Sequence, residues 1–154
     1  MPGRLEPRTL NFQTPLKYWL VKSEPSEWSW SDHWESPNRT ARWDGVRNHQ
    51  AKNNLIAMRV GDRAFFYHSV DEKRIVGVLE VVRESYADPA DKTGKFVAVD
   101  FKAVEAVKQP MTLEQIKREP SLKDMVLVRN SRLSVQPVTP AQWKKICKMS
   151  GALS

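Results

Sequence analysis

The chain has 154 residues, enough for one domain with a sizeable core and short for two. Its composition, 40% hydrophobic and 28% charged, is that of an ordinary globular protein, and no apolar run approaches the roughly 18 residues of a membrane span. A formal charge of +7, with no Lys/Arg run longer than two, points to a basic folded surface and makes nucleic acid the leading class of partner.

Residues 1–16 carry charges and three prolines without an apolar segment, so they read as a flexible leader and not as a secretory signal. Lys17 to Ser23 is a first strand, ended by Glu24-Pro25, because proline removes a ladder donor and restrains the residue before it. Trp28, Trp30 and Trp34 crowd the short segment from Ser26 to Glu35, which predicts one or two helical turns. They suit either a hydrophobic lid or a wall on which a flat ligand stacks. Ser36 to Arg42 reads as a loop carrying Arg39 and Arg42.

The stretch from Trp43 to Met58 then predicts the central helix, entered from an Asp44-Gly45 turn with Asp44 as cap. At about 100° per residue, Ala51, Leu55 and Met58 form its inner stripe, with Arg47 and Asn48 on the stripe's two edges. Polar groups so placed either satisfy buried backbone or line a cavity.

Gly61-Asp62 makes a turn into a strand from Arg63 to Ser69, with bulky groups on both faces. Asp71-Glu72-Lys73 connects it to a long strand from Arg74 to Ser85, in which Gly77 signals a bulge or a close backbone approach. A loop from Tyr86 to Gly94 leads to another strand, Phe96 to Val107. Thr112 and Gln115 form a capping box for a short helix that stops before Pro120. Arg132 to Val138 alternates like a strand with one polar face, and Thr139 caps a final helix with Pro140 at its first position. Five or six strands interrupted by short helices, without regular alternation, predict an α+β fold with a small curved sheet or barrel.

Catalytic patterns are weak. There is no Gly-x-Ser-x-Gly elbow, and the six glycines are too scattered for a phosphate-cradling loop. Cys147 lies among apolar neighbours on an amphipathic helix, as a packed thiol does, and a lone cysteine excludes an internal disulfide. Histidines only at 33, 49 and 68 give no zinc spacing, so neither metal nor cofactor is expected. His68 and Ser69 are neighbours on a strand and face opposite ways. Glu24, Asp32, Asp44 and Asp71 offer no reason to pair any two.

A binding pocket is better supplied. An extruded base needs aromatic faces and polar partners along its edge. Trp28, Trp30, Trp43 and Tyr67 are candidates for the first, and Ser23, Arg47, Asn48, His68 and Gln136 for the second. Arg39, Arg42 and Lys52 are the candidates for phosphate contacts.

Four motifs together resemble the EVE domain: Tyr18-Trp19-Leu20-Val21-Lys22-Ser23-Glu24-Pro25, Trp43-Asp44-Gly45-Val46-Arg47-Asn48-His49-Gln50-Ala51, Phe66-Tyr67-His68-Ser69, and Arg132-Leu133-Ser134-Val135-Gln136-Pro137-Val138. The resemblance spans residues 17–150 in order. It implies a PUA-like β-barrel with flanking helices, related to YTH and ASCH domains, around a pocket for a modified nucleobase. The favoured ligand it implies is a 5-modified cytosine in DNA, with RNA modifications as the alternative. Carried over residue by residue, the pocket comprises Ser23, Glu24 and Pro25; Val46, Arg47 and Asn48; Tyr67, His68 and Ser69; and Arg132, Ser134 and Gln136. Trp30 and Trp43 are its stacking candidates. Trp28 and His49 stand where the family usually has tyrosines, and the loop from Ala90 to Lys95 is shortened.

The expectation is therefore a monomeric, non-enzymatic reader of a modified base, not associated with a membrane, in a bacterial cytoplasm or, in a eukaryote, the nucleus. The alternatives are a PUA-type module that binds structured RNA without reading a modification and, as a weaker class, an enzyme acting on nucleotides.

Overall fold

The computed structural model describes residues 15–153, so the leader expected over residues 1–16 lies outside the described residues except for its last two. In chain order the elements are β1 (Tyr18–Ser23), α1 (Trp30–Trp34), β2 (Thr40–Trp43), α2 (His49–Ala57), β3 (Arg63–His68), β4 (Arg74–Ala87), β5 (Val97–Thr112), α3 (Leu113–Arg118), α4 (Val126–Arg129), β6 (Val135–Val138) and α5 (Pro140–Ser150). One-turn 3-10 segments at Pro37–Arg39 and Pro120–Leu122 complete the path.

The strands form one mixed sheet in the order β2-β5-β4-β3-β1-β6. β1 runs parallel to β3, and every other neighbouring pair is antiparallel. Both faces are covered, which explains the bulky residues on both sides of β3. Trp19, Val21, Ala64 and Phe66 point into one core, beneath Ala51, Leu55 and Met58 of the α2 segment. Leu20, Phe65 and Tyr67 point into the other, beneath Trp143, Ile146 and Cys147 of α5. Successive strand residues alternate faces, so one short run feeds both cores. Burial pushes the Cys147 thiol up to about 11, which keeps it protonated and inert at neutral pH.

Gly77 has both of the roles open to it. The β4–β5 register shifts between Ile75 and Gly77, and the β3–β4 register shifts opposite, between Phe66 and Tyr67. A Cβ on Gly77 would also lie 2.3 Å from Cζ3 of Trp30, so the indole rests on bare backbone. These bulges help the long β4 and β5 to curl. Asp62, only 2% exposed, closes the turn before β3. It accepts the Trp19 indole N–H at 3.0 Å, the Lys17 N–H at 3.1 Å and the Arg59 N–H at 3.0 Å.

Both capping boxes are present, Thr112 with Gln115 and Thr139 with Gln142. Five expectations need correction. β4 runs on to Ala87 and β5 to Thr112, past the expected ends at Ser85 and Val107. Thr40–Trp43 is not loop but the edge strand β2, paired with β5. The last strand starts at Val135, not Arg132. The central helix begins at His49: Asn48 caps it by accepting the Ala51 N–H at 2.8 Å, while Asp44 pairs with Arg42. Gly45, at φ +76°, lies outside helical space and breaks the run before that point. No helix among the described residues is long and apolar enough to cross a membrane.

Candidate functional site

β2 and β6 are the two ends of the sheet, and no ladder joins them. A cavity of about 670 Å³ lies in this open seam, lined from one side by Ala41 to Trp43 of β2 and from the other by Lys22 and Ser23 of β1 and by Ser134 just before β6. Its size is within the roughly 300–1,000 Å³ of small-ligand sites.

The wall beyond β1 follows from a local turn. The N–H groups of Glu27 and Trp28 both donate to the Glu24 carbonyl, at 2.9 and 3.0 Å. The Ser23 hydroxyl donates to the Trp28 carbonyl at 2.6 Å. Glu24, Glu27 and Trp28 are thereby folded over the strand end and line the cavity. Ser29 and Asp32 then cap α1 reciprocally. Two imidazoles anchor this aromatic segment. His33 accepts the Trp28 indole N–H on Nδ1 at 3.1 Å, and its Nε2 lies 2.9 Å from the Phe101 carbonyl. His68 accepts the Trp30 backbone N–H on Nε2 at 3.0 Å, and its Nδ1 lies 2.9 Å from Glu72. The hydrogen bond from His68 holds the Glu72 carboxyl below its ordinary range.

The wall beyond β2 is the irregular segment from Asp44 to Asn48. Asp88 fastens it from a distant loop: Oδ2 accepts the Gly45 N–H and an Arg47 guanidinium N–H, each at 2.9 Å, and Oδ1 accepts the Ala90 N–H at 2.8 Å. Burial alone would raise the Asp88 carboxyl, but these bonds outweigh it and hold the group below its ordinary range.

Charge in the cavity is mixed. Lys22, Arg42 and Arg47 line it together with Glu24, Glu27 and Asp44. Arg42 pairs with Asp44 at 3.1 Å and Arg47 with Asp88 at 2.9 Å. Lys22 donates to the Ser131 carbonyl at 2.5 Å, and burial lowers its ammonium below the usual value. A lining with as many carboxylates as cations is no simple anion hole. It offers both acceptors and donors to a polar ligand.

Of the residues singled out in the sequence, Ser23, Glu24, Trp28, Trp43, Val46, Arg47, Ser134 and Arg42 line this cavity. Trp43 also belongs to the core, edge-on to Phe66 and Phe101, and is 6% exposed. The remaining candidates lie elsewhere. Trp30 packs on Gly77 and edge-on to Phe66, at the foot of the wall. Tyr67 is buried in the opposite core, which pushes its phenol up to about 12. Gln136 is fully buried and donates to the Leu133 carbonyl. Asn48 caps the helix through Oδ1, and His68 holds the Trp30 backbone N–H through Nε2. Pro25 is part of the turn, and Ser69 meets the Ser23 carbonyl through its backbone N–H. Arg132 is exposed ahead of β6. Arg39 stacks on Trp34 at 3.6 Å, and Lys52 lies 5.7 Å above the Phe96 ring. Lys22, Glu27 and Asp44 in the lining, and the anchors His33 and Asp88, were given no place in the pocket by sequence reasoning. A histidine embedded among Trp28, Trp30 and Trp34 was a usable signal for one of them. Among the described residues no group of three or more His, Cys, Asp or Glu is placed to hold a metal ion.

A curled six-stranded sheet with short helices and an aromatic, charge-balanced cavity in its seam defines an α+β module of PUA/YTH-like fold. The sequence model of the EVE domain matches residues 17–149, and the chain belongs to that family. It is 35% identical to mouse thymocyte nuclear protein 1, over 95% of this chain and 82% of that protein. The NMR structure of Rpa0253 from Rhodopseudomonas palustris is 55% identical, with a TM-score of 0.85 over 90% of this chain and 96% of that one. Human THYN1, solved in complex with 5-methylcytosine-containing DNA, is 34% identical, with a TM-score of 0.81 over 87% of this chain and 97% of that one. The YTH domain of Zygosaccharomyces rouxii MRB1, 18% identical with a TM-score of 0.56, shares the fold.

Proposed function

We propose that this chain is a non-enzymatic nucleic-acid-binding module that accepts one modified base, with 5-modified cytosine in DNA as the favoured ligand. The observation that carries this reading is the cavity itself, in which Trp28 and Trp43 share a lining with equal numbers of cationic and anionic residues. A base is flat and neutral, with donors and acceptors along one edge. The exocyclic amine of cytosine suits a carboxylate such as Glu24 or Glu27, and its ring acceptors suit Lys22 or Arg47. The net charge of +7 supplies attraction to the backbone. The human relative's complex with 5-methylcytosine-containing DNA supports the same ligand class. His33 and His68 have both ring nitrogens engaged within the protein, which favours binding over proton transfer.

The test is equilibrium binding, at one fixed salt concentration, to matched single- and double-stranded oligonucleotides with plain, 5-methyl or 5-hydroxymethyl cytosine. The expected preference for a modified strand is tenfold or so, about 1.4 kcal/mol. Equal binding to all would overturn base reading and favour a module that recognises backbone and shape.

A further inference from the structure

Arg47 occupies an unusual place among the cavity's cations. Its side chain is 41% exposed, while the carboxylate that holds it, on Asp88, is fully buried. Nη1 of the guanidinium makes two bonds, one to Asp88 and one to the Val46 carbonyl at 3.1 Å. Arg47 also lines the cavity. The ring of Phe96 limits movement the other way, 5.2 Å from the guanidinium carbon, with His49 and Lys52 against the same ring. Asp88 lies forty-one residues from Arg47 in sequence, and its second bond on the same oxygen fixes Gly45. One buried carboxylate therefore sets the position of a rim arginine, the turn that carries it, and the net charge which that arginine presents.

We infer that Asp88 is a positioning residue for ligand selectivity: it holds the Gly45–Arg47 segment in a base-reading geometry and cancels a charge that would otherwise bind any phosphate. The inference rests on the base-reading proposal for what is selected, but not for the control of charge. An arginine paired with a buried carboxylate donates directional hydrogen bonds while adding little net field. Released from its partner, the same group becomes a long, mobile monocation that contributes to sequence-independent attraction.

The experiment compares wild type, Asp88→Asn, Arg47→Ala and the double variant, with the unfolding midpoint measured for each. In Asp88→Asn the charge is gone and one acceptor oxygen remains, so the amide NH2 meets either the Ala90 N–H or the donors of Gly45 and Arg47, and the segment is held less tightly. Its preference for modified over plain DNA is expected to fall from tenfold or so towards one. Binding of plain duplex should be retained or strengthened at low salt, with the slope of log affinity against log salt steeper by about 0.9, one freed cation. Arg47→Ala should also abolish the preference, and adding Asp88→Asn to it should change little further, since residues acting through one another are non-additive. Equal loss of plain and modified binding in Asp88→Asn, or an equal cost in the Arg47→Ala background, would overturn the inference. Where wild type itself shows no preference, base reading fails, and the salt slope still decides: an unchanged slope in Asp88→Asn sinks the positioning role. Should Asp88→Asn not fold, Asp88→Ser keeps a small acceptor for the backbone donors and carries the same comparison.

Discussion

The indole N–H of Trp28 donates to Nδ1 of His33 at 3.1 Å, tying a tryptophan of the cavity wall to an imidazole with no solvent exposure. The donor fixes the tautomer: Nδ1 accepts, so Nε2 carries the hydrogen and donates to the Phe101 carbonyl. Imidazolium has no acceptor, so protonation abolishes the bond to Trp28. Burial holds His33 below its ordinary value, against the opposing effect of the Phe101 hydrogen bond.

The unfolded chain therefore takes up this proton first as pH falls. Stability contributed by neutral His33 is complete above the ordinary imidazole value of about 6.5, and is lost as pH drops from there through the lower folded value. The urea midpoint should fall between about pH 7.5 and about pH 5.5, and should fall less in His33→Gln. An identical fall in the variant would mean that other groups carry it.

Gly77→Ala tests the seat of Trp30. A new Cβ 2.3 Å from the ring, and 2.5 Å from two of its neighbouring carbons, forces the indole or the strand to move. Overpacking of this kind costs about 1–3 kcal/mol, visible as a lowered denaturation midpoint at unchanged m-value. Trimming the indole in the same chain, as Gly77→Ala with Trp30→Leu, should cost less than the sum of the two single changes. Strict additivity would show that the contact is not what excludes a side chain at Gly77.

What was legible in the sequence was local. Thr112 with Gln115, Thr139 with Gln142, and the stripe of Ala51, Leu55 and Met58 can each be read within a few residues, because caps and faces are set by neighbours along one helix. The four family motifs carried the fold as a whole. β2 was missed because Thr40–Trp43 is short and half polar, and becomes a strand only by pairing with β5 some sixty residues later. The start of the central helix was misplaced for a related reason. Asp44-Gly45 has the composition of a helix entry, yet Gly45 is held by Asp88, forty-three residues away. Trp28 and Trp30 are equivalent by composition. Both are half-buried against the same core, and only the register that puts Gly77 under Trp30 separates the tryptophan seated on the sheet from the one that lines the cavity.

Asp62 is the second such long-range carboxylate, and its loss should be costly. Asp62→Ala leaves the Trp19 indole N–H and the backbone N–H groups of Lys17 and Arg59 without their acceptor. The Trp19 bond is buried and the other two are part-buried, so at about 1–3 kcal/mol for the indole donor and less for each backbone N–H the expected destabilisation is about 2 kcal/mol or more. Asp62→Asn keeps one acceptor oxygen and should lose less. Thermal or urea unfolding of the three proteins checks the order, and a loss under about 1 kcal/mol in the alanine variant would show that water replaces the carboxylate readily.

Trp28 and Trp30 should part company in binding. Trp28 lines the cavity, so Trp28→Ala removes a stacking face worth about 1–3 kcal/mol per base, and affinity for the preferred oligonucleotide falls accordingly. Trp28→Phe keeps a ring but no N–H for His33, so it should retain more of the affinity than alanine while losing stability. Trp30, packed on Gly77 and Phe66, is expected to behave in reverse: Trp30→Ala lowers the unfolding midpoint, and affinity measured on its folded fraction stays near wild type. Titration at fixed salt, with the folded fraction set by circular dichroism, separates the two. A fully folded Trp30→Ala that bound as poorly as Trp28→Ala would place the stacking surface on the other side of α1, and the seam cavity would no longer be the site where a base is held.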